Sequence, residues 1–421
     1  MGDSSYTDFV TTPGPSRSEI VVVYAAGLFQ GLSLVAVPAA ATILTSPDAY
    51  DLSASQYGLL FLPQVILAIA GSLALPSLSR RIGLKHVLLV GLAADTLAMT
   101  LLVASNSVRT DAIAFPMLLV ATGGLGLGFG LTLGAISTYA GAFQPQRREV
   151  ALTALNVLLG LGTALSPLLI AVFLDIGEWW FLPLITAVGL AAVMSVTLRQ
   201  PLVAERPAAA TARPPIPSRF WIFAAALVAY GAAETMFGNW GTSLLVDDGV
   251  QASSATYALA AFWAAVTAGR LIIALVSERV GSTRIYVVLP WAIAAALLIA
   301  PAADTPGAGI ALFALAGLAC SGFFPMTIGY GESSFPGMVE LAAGWLIAAY
   351  QIGYGLAAFG GGALQDTVSL PTLFRVTAVL AAVMGVLSLP IAKTAGSPHR
   401  DDDVPPGSPY RQSSQLQQAE E

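Results

Sequence analysis

RQPLVAERPAAATARPPIPSR, residues 199–219, lies near the middle of a 421-residue chain and is unlike what flanks it. It holds five prolines and four arginines, a composition that cannot continue an apolar helix and reads as a linker. On its N-terminal side apolar windows recur near 20–44, 57–78, 86–105, 112–138, 150–174 and 179–198. On its C-terminal side they recur near 220–246, 256–277, 285–303, 308–331, 341–364 and 371–393. Each window meets the roughly 20 residues that a helix needs to cross a bilayer. The chain is 56% hydrophobic and 10% charged, against about 25% charged in soluble globular domains, which excludes a water-soluble core and surface.

Basic residues report the topology. With both termini on the cytoplasmic side, 16 of the 18 Lys and Arg fall in cytoplasmic loops, the linker or the tails, leaving only Arg109 and Arg375. The opposite loops carry Asp48, Asp51, Asp175, Glu178, Asp247, Asp248 and Asp304. That bias predicts an even number of spans with N and C termini inside. The expected organisation is a tail over 1–19, a six-helix bundle over 20–198, the linker over 199–219, a second bundle over 220–393 and a disordered tail over 394–421. The polar first eighteen residues have no basic leader, so the first span is expected to be retained.

Several function classes have no support. Cys320 is the single cysteine and His86 and His399 are the only histidines, so neither a disulfide framework nor a His-based metal site is expected. GLGLGFG (124–130) resembles a nucleotide loop but lies inside an apolar span, where close helix packing explains it. No phosphate-binding loop or nucleophile elbow appears, so neither an enzyme nor a cofactor is expected, and no nucleic-acid partner. The expected surroundings are a lipid bilayer, and the alanine-, glycine- and proline-rich, lysine-poor composition fits a bacterial cytoplasmic membrane.

The halves repeat. SRRIG (79–83) follows the second span and SERVG (277–281) follows the eighth. Two six-span halves joined by a basic linker resemble the major facilitator superfamily. In that family the loop after the second span reads Gly-x-x-x-Asp-Arg-x-Gly-Arg-Lys. PSLSRRIGLKH keeps Arg81, Gly83 and Lys85, but has Pro76 and Arg80 at the Gly and Asp positions. The resemblance implies a cytoplasmic gate drawn from Arg81, Gly83, Glu278, Arg279 and Gly281. Arg270 joins them as a partner for Glu278 or for an acid in the cavity. CSGFFPMTIGYG in the tenth span and ALNVLLGLGTALSPLL in the fifth are similar to the fucose permease-like branch. That implies proton-coupled import of a sugar by a transporter sufficient as a monomer. The fourth span departs from the branch, with Leu133 and Ser137 where it has an acid and an asparagine, and the first span carries Gln30 and Ser33 but no acid.

The residues themselves single out Glu234. YGAAETMFGNW (230–240) sets it in a run without other charges from Phe220 to Val246. An ionised acid at a helix centre costs about 2.5–3.5 kcal/mol, so it should face a cavity or a partner. The functional reading is a proton carrier; the structural one is a neutral acid bonded to a neighbouring helix. Asn239 and Trp240 offer an amide and an indole to a sugar, or Trp240 belongs to the interfacial belt. Gln30, Asn156, Tyr350 and Gln351 complete the candidate cavity, each with the alternative of a helix–helix hydrogen bond. The leading expectation is symport of a small solute with protons, sodium remaining open. A drug or metabolite exporter and a non-transporting sensor are the rivals.

Overall fold

The computed structural model describes residues 15–202, 216–335 and 338–395. The linker segment 203–215 and the tails over 1–14 and 396–421 therefore lie outside the described residues. Within them the chain is helical, with no strand. Eleven helices are long and apolar enough to cross a membrane: α2 (Ala54–Ile82), α3 (Leu84–Ser105), α4 (Ala114–Phe143), α5 (Arg148–Asp175), α6 (Phe181–Arg199), α7 (Phe220–Asp247), α8 (Ala252–Val280), α9 (Ser282–Ile299), α10 (Pro306–Ser334), α11 (Val339–Leu364) and α12 (Leu370–Ala395). The twelfth crossing is α1 (Arg17–Leu34), prolonged by the turns Ala36–Ala39 and Ala41–Leu44. Leu73, Leu275, Val188 and Val379 are among the many large apolar side chains on the outside, a surface only lipid accommodates.

Sequence explains the helix ends. α1 starts at Arg17, three residues before the apolar window, because Ser16 builds a capping box: its Oγ accepts from the Glu19 N–H, and its own N–H donates to Glu19 Oε2 at 2.7 Å. The break at Val35 lies one turn before Pro38, whose missing N–H leaves the Leu34 carbonyl without its helical partner. α10 is interrupted in the same way at Ser321–Gly322, one turn before Pro325. The short repeat is also a structural repeat. Gly83 and Gly281 adopt φ of 85° and 90°, and their N–H groups donate to Ser79 and Ser277 carbonyls at 3.0 and 2.9 Å. Each glycine closes one helix and opens the next.

Glycines also set the spacing within bundles. In GLGLGFG, Gly124 and Gly128 abut α3, while Gly126 and Gly130 abut α2, so alternate glycines let α4 pack against two neighbours. The nucleotide-loop likeness is thus a helix-packing stripe. The bundles meet mainly through α2 with α11 and α5 with α8. Side-chain hydrogen bonds that cross between them, among them Ser55 to the Gly362 carbonyl and Asp366, Tyr57 to the Asn239 carbonyl, and Tyr257 to Asp175, lie toward the ends away from where α1 starts and α12 finishes.

At Gly83 and Gly281 a side chain would be forced into backbone space that costs about 1–3 kcal/mol. Gly83→Ala and Gly281→Ala should each lower the melting temperature of the purified protein. Gly329→Ala, on a helix face with open space, should leave it unchanged or raise it.

Candidate functional site

Two glycines bring the site together. A Cβ on Gly231 of α7 would strike the Tyr350 carbonyl of α11, and a Cβ on Gly353 would strike the Val228 carbonyl. Without those atoms the two backbones touch, and α11 presents Tyr350 to the residue one turn above Tyr230. That residue is Glu234, only 5% exposed. Tyr230 Oη donates to its Oε1 at 2.6 Å and Tyr350 Oη donates to its Oε2 at 2.6 Å. The acid is thus held by one phenol from its own helix, at i−4, and one from α11.

Tyr230 has a second acceptor. Its hydroxyl lies 2.8 Å from the Cys320 carbonyl, at the α10 break where regular helical bonding stops. A phenol has a single hydrogen and can serve either acceptor. With Glu234 ionised, both phenols donate to it. With Glu234 protonated, its hydroxyl donates to Tyr230 Oη, whose hydrogen turns to Cys320. Both protonation states are fully bonded, so the proton can come and go without leaving a buried group unsatisfied. The Arg270 guanidinium acts electrostatically on Glu234 and Tyr350 but forms no ion pair among the described residues, and its buried Nε has no partner.

Tyr350 also lines a cavity between the bundles. Gln64, Gly126, Asn239, Trp263, Gln351 and Tyr354 contribute to its wall, along with Leu34, Val35, Pro38, Val65, Ala68 and Phe129. The free volume it leaves is about 60 Å³, room for a few waters and below the ~300–1,000 Å³ of small-ligand sites, so the walls stand close together in this conformation. Asn239 Nδ2 donates to Tyr354 Oη at 3.2 Å. A second concavity, at Val376, Val379, Leu380 and Val383, is formed by α12 alone on the lipid face.

Of the residues singled out from sequence, Glu234, Asn239, Tyr350 and Gln351 are brought together here. The other three candidates for the cavity lie elsewhere. Trp240 is 1% exposed, donates Nε1–H to the Ala357 carbonyl at 3.0 Å and meets Tyr57 edge-on at 5.1 Å, so it plugs the contact between bundles rather than lining the cavity. Asn156 is exposed and donates to the Leu152 carbonyl of its own helix. Gln30 is buried in the first bundle. Arg81, Glu278 and Arg279 are exposed and unpaired among the described residues, and Arg270 acts on Glu234. Sequence reading missed Gln64, Trp263 and Tyr354 on the cavity wall, and it missed Asp95, a buried acid of α3. A single carboxylate in the apolar stretch of α3 was the available signal.

The chain matches the Major Facilitator Superfamily over residues 21–289 and 222–412. It belongs to that family. By sequence, no curated protein matches it. By structure it is similar to a D-xylose–proton symporter (TM-score 0.71, 14% identity, 92% of this chain and 98% of that one). It is also similar to a point variant of the nucleoside transporter NupG (0.70, 14%, 88% and 98%) and to the inward-open xylose transporter XylE from E. coli (0.71, 12%, 88% and 94%). The chain is a multi-pass membrane transporter of the superfamily's fold.

The cavity assignment has a chemical test in a protein with one native, buried cysteine. A cysteine placed at Gln351 should react with a water-soluble maleimide, and one placed at Gln30 should not.

Proposed function

We propose that this transporter carries a small polar solute, a sugar being the leading class, in symport with protons across a bacterial cytoplasmic membrane, with Glu234 as the proton carrier. The observation that carries the reading is the double role of Tyr350, whose phenol lines the cavity and donates to Glu234. An ionised Glu234 holds that hydroxyl. A protonated Glu234 needs it less, which frees the hydroxyl to bond a solute. Proton binding thereby prepares the cavity for its solute, and loss of the proton withdraws a binding group. Asn239, Gln351, Gln64 and Tyr354 supply further polar contacts, and Trp263 supplies an indole face for a ring.

Both termini are read as cytoplasmic. The bundles are then joined near the outer surface by Tyr57, Trp240 and Ser55 with their partners, while the gate residues Arg81, Glu278 and Arg279 stand exposed and unpaired. That is an inward-facing arrangement. Closing the cytoplasmic side brings those charges into use, with Gly83 and Gly281 as the corners that position them. The bound species are therefore the solute, a proton and the surrounding lipid, and a monomer is sufficient.

One observation favours a second reading. Most of the cavity wall is apolar, which suits an amphipathic drug or metabolite exported in exchange for protons.

Liposomes holding a pH-sensitive dye separate the two. Inward proton flux on adding sugars, abolished in Glu234→Gln, is expected for symport. A proton signal only with cationic drugs makes the protein an exporter. Solute uptake with no proton signal and no effect of Glu234→Gln makes the acid structural. Tyr350→Phe should weaken solute binding and uncouple proton flux together, losing the roughly 1.5–3 kcal/mol of a hydrogen bond to a charged group. Tyr24→Phe, which removes a hydroxyl bonded to the Ala151 carbonyl, should do neither.

A further inference from the structure

Helix α3 holds a carboxylate that the reading above does not use. Asp95 is 0% exposed, and neither carboxylate oxygen has a hydrogen-bond partner among the described residues. Counting from Leu84 at 1.5 Å per residue puts it roughly 16 Å into the helix, at bilayer mid-depth. A Cβ on Gly128 of α4 would overlap the carboxylate, so the missing side chain there makes its room. From α1 the Gln30 amide, itself 1% exposed, comes close enough to act as its donor but falls short of good hydrogen-bond geometry, so neither side chain is fully bonded. One turn further along α4, Thr132 Oγ1 is buried and unbonded against Gly91, one turn before Asp95. Three helices thus bring polar groups to one junction and leave them unpaired.

Among the described residues no cation neutralises this acid. The helices packed on α3 are α4, α6, α2 and α1. Their charged groups are Arg199 on α6, Arg80 and Arg81 on α2, and Arg17 and Glu19 on α1, with Lys85 and His86 on α3 itself. All of these sit at helix ends, two or more turns from Asp95. The phenols on these helices are engaged or placed elsewhere, Tyr57 of α2 being bonded to the Asn239 carbonyl. Tyr139 of α4 is three turns from Gly128, and Tyr24 of α1 is bonded to the Ala151 carbonyl of α5. An ionised Asp95 would be an unpaired charge in a dry junction, among the most unfavourable arrangements in a membrane protein. A neutral acid fits. Its hydroxyl would donate to Gln30 Oε1, and Gln30 Nε2–H would donate back to the acid's carbonyl oxygen, which pairs the four atoms.

We propose that Asp95 is a second proton-binding site, in the bundle opposite Glu234, with Gln30 as its reciprocal partner and its link to the central cavity. Gln30 is one helical turn from Leu34, which lines the cavity, so rotation of α1 next to its break at Val35 would open a route for the proton. The site stands on its own geometry and does not depend on the role of Glu234.

Asp95 is the one buried aspartate among the described residues, which permits a direct test. The reconstituted full chain is labelled with carboxyl-13C aspartate and followed by infrared spectroscopy as buffer pH is lowered from alkaline to mildly acid. The expected result is a carboxylic-acid carbonyl band that shifts with the label, persists in Glu234→Gln and disappears in Asp95→Asn. Absence of any label-sensitive acid band in the wild type overturns the proposal, whether or not Asp95→Asn folds. So does an aspartate that stays ionised while sodium, and not acid, raises the melting temperature of the wild type but not of Asp95→Asn. A band that survives Asp95→Asn also overturns it.

Discussion

The pair of phenol–carboxyl hydrogen bonds at Glu234 is the contact around which the second bundle is arranged. A bilayer interior offers no water to a buried acid, so its partners must come from protein. One comes from Tyr230 on the same helix. The other, Tyr350, reaches it only because α7 and α11 touch at Gly231 and Gly353. The Cys320 carbonyl becomes the alternative acceptor because Cys320 is the last residue before the break in α10. The glycine contact and the α10 break both lie where the acid needs them.

That dependence explains what could be read from the chain in advance. Span number, the two bundles and the matching corners were legible because each rests on local sequence: apolar run length, charge placement, and a glycine after SRRI or SERV. Glu234 was legible for the same reason, as a lone charge in an apolar run. Its Tyr230 partner follows from helical spacing. Tyr350 as a partner does not, because it lies 116 residues away and its register depends on how two helices pack. The Cys320 carbonyl is further from view still, since a backbone atom leaves no mark in the sequence.

Trp240 and Asp95 show two different ways of being misread. Trp240 sits on the same helix as Glu234, but the side of the helix that faces the cavity near Asn239 is not the one that carries the indole. The ring turns instead to Tyr57 and the Ala357 carbonyl, where it closes the junction between bundles. Asp95 obeys the rule that picked out Glu234. A family template that looks for acids in the first and fourth spans directs attention to Gln30 and Leu133, and the acid stands instead on α3, beside Gln30.

The two acids differ in how their surroundings treat charge. Glu234 has a donor on each oxygen, a positive field from Arg270 and a phenol that can turn to another acceptor, an environment that holds the anion and the acid alike. Asp95 has only the neutral Gln30 amide within reach, no cation on the helices packed against it and a glycine backbone beside it, an environment that favours the acid. A group stable in both states can change protonation while the helices stay put. A group stable in one state must move its helices before it can release a proton. Under the roles proposed for them, the first kind, beside the cavity, exchanges its proton in place, and the second, at the α1–α3–α4 junction, ties proton release to helix movement.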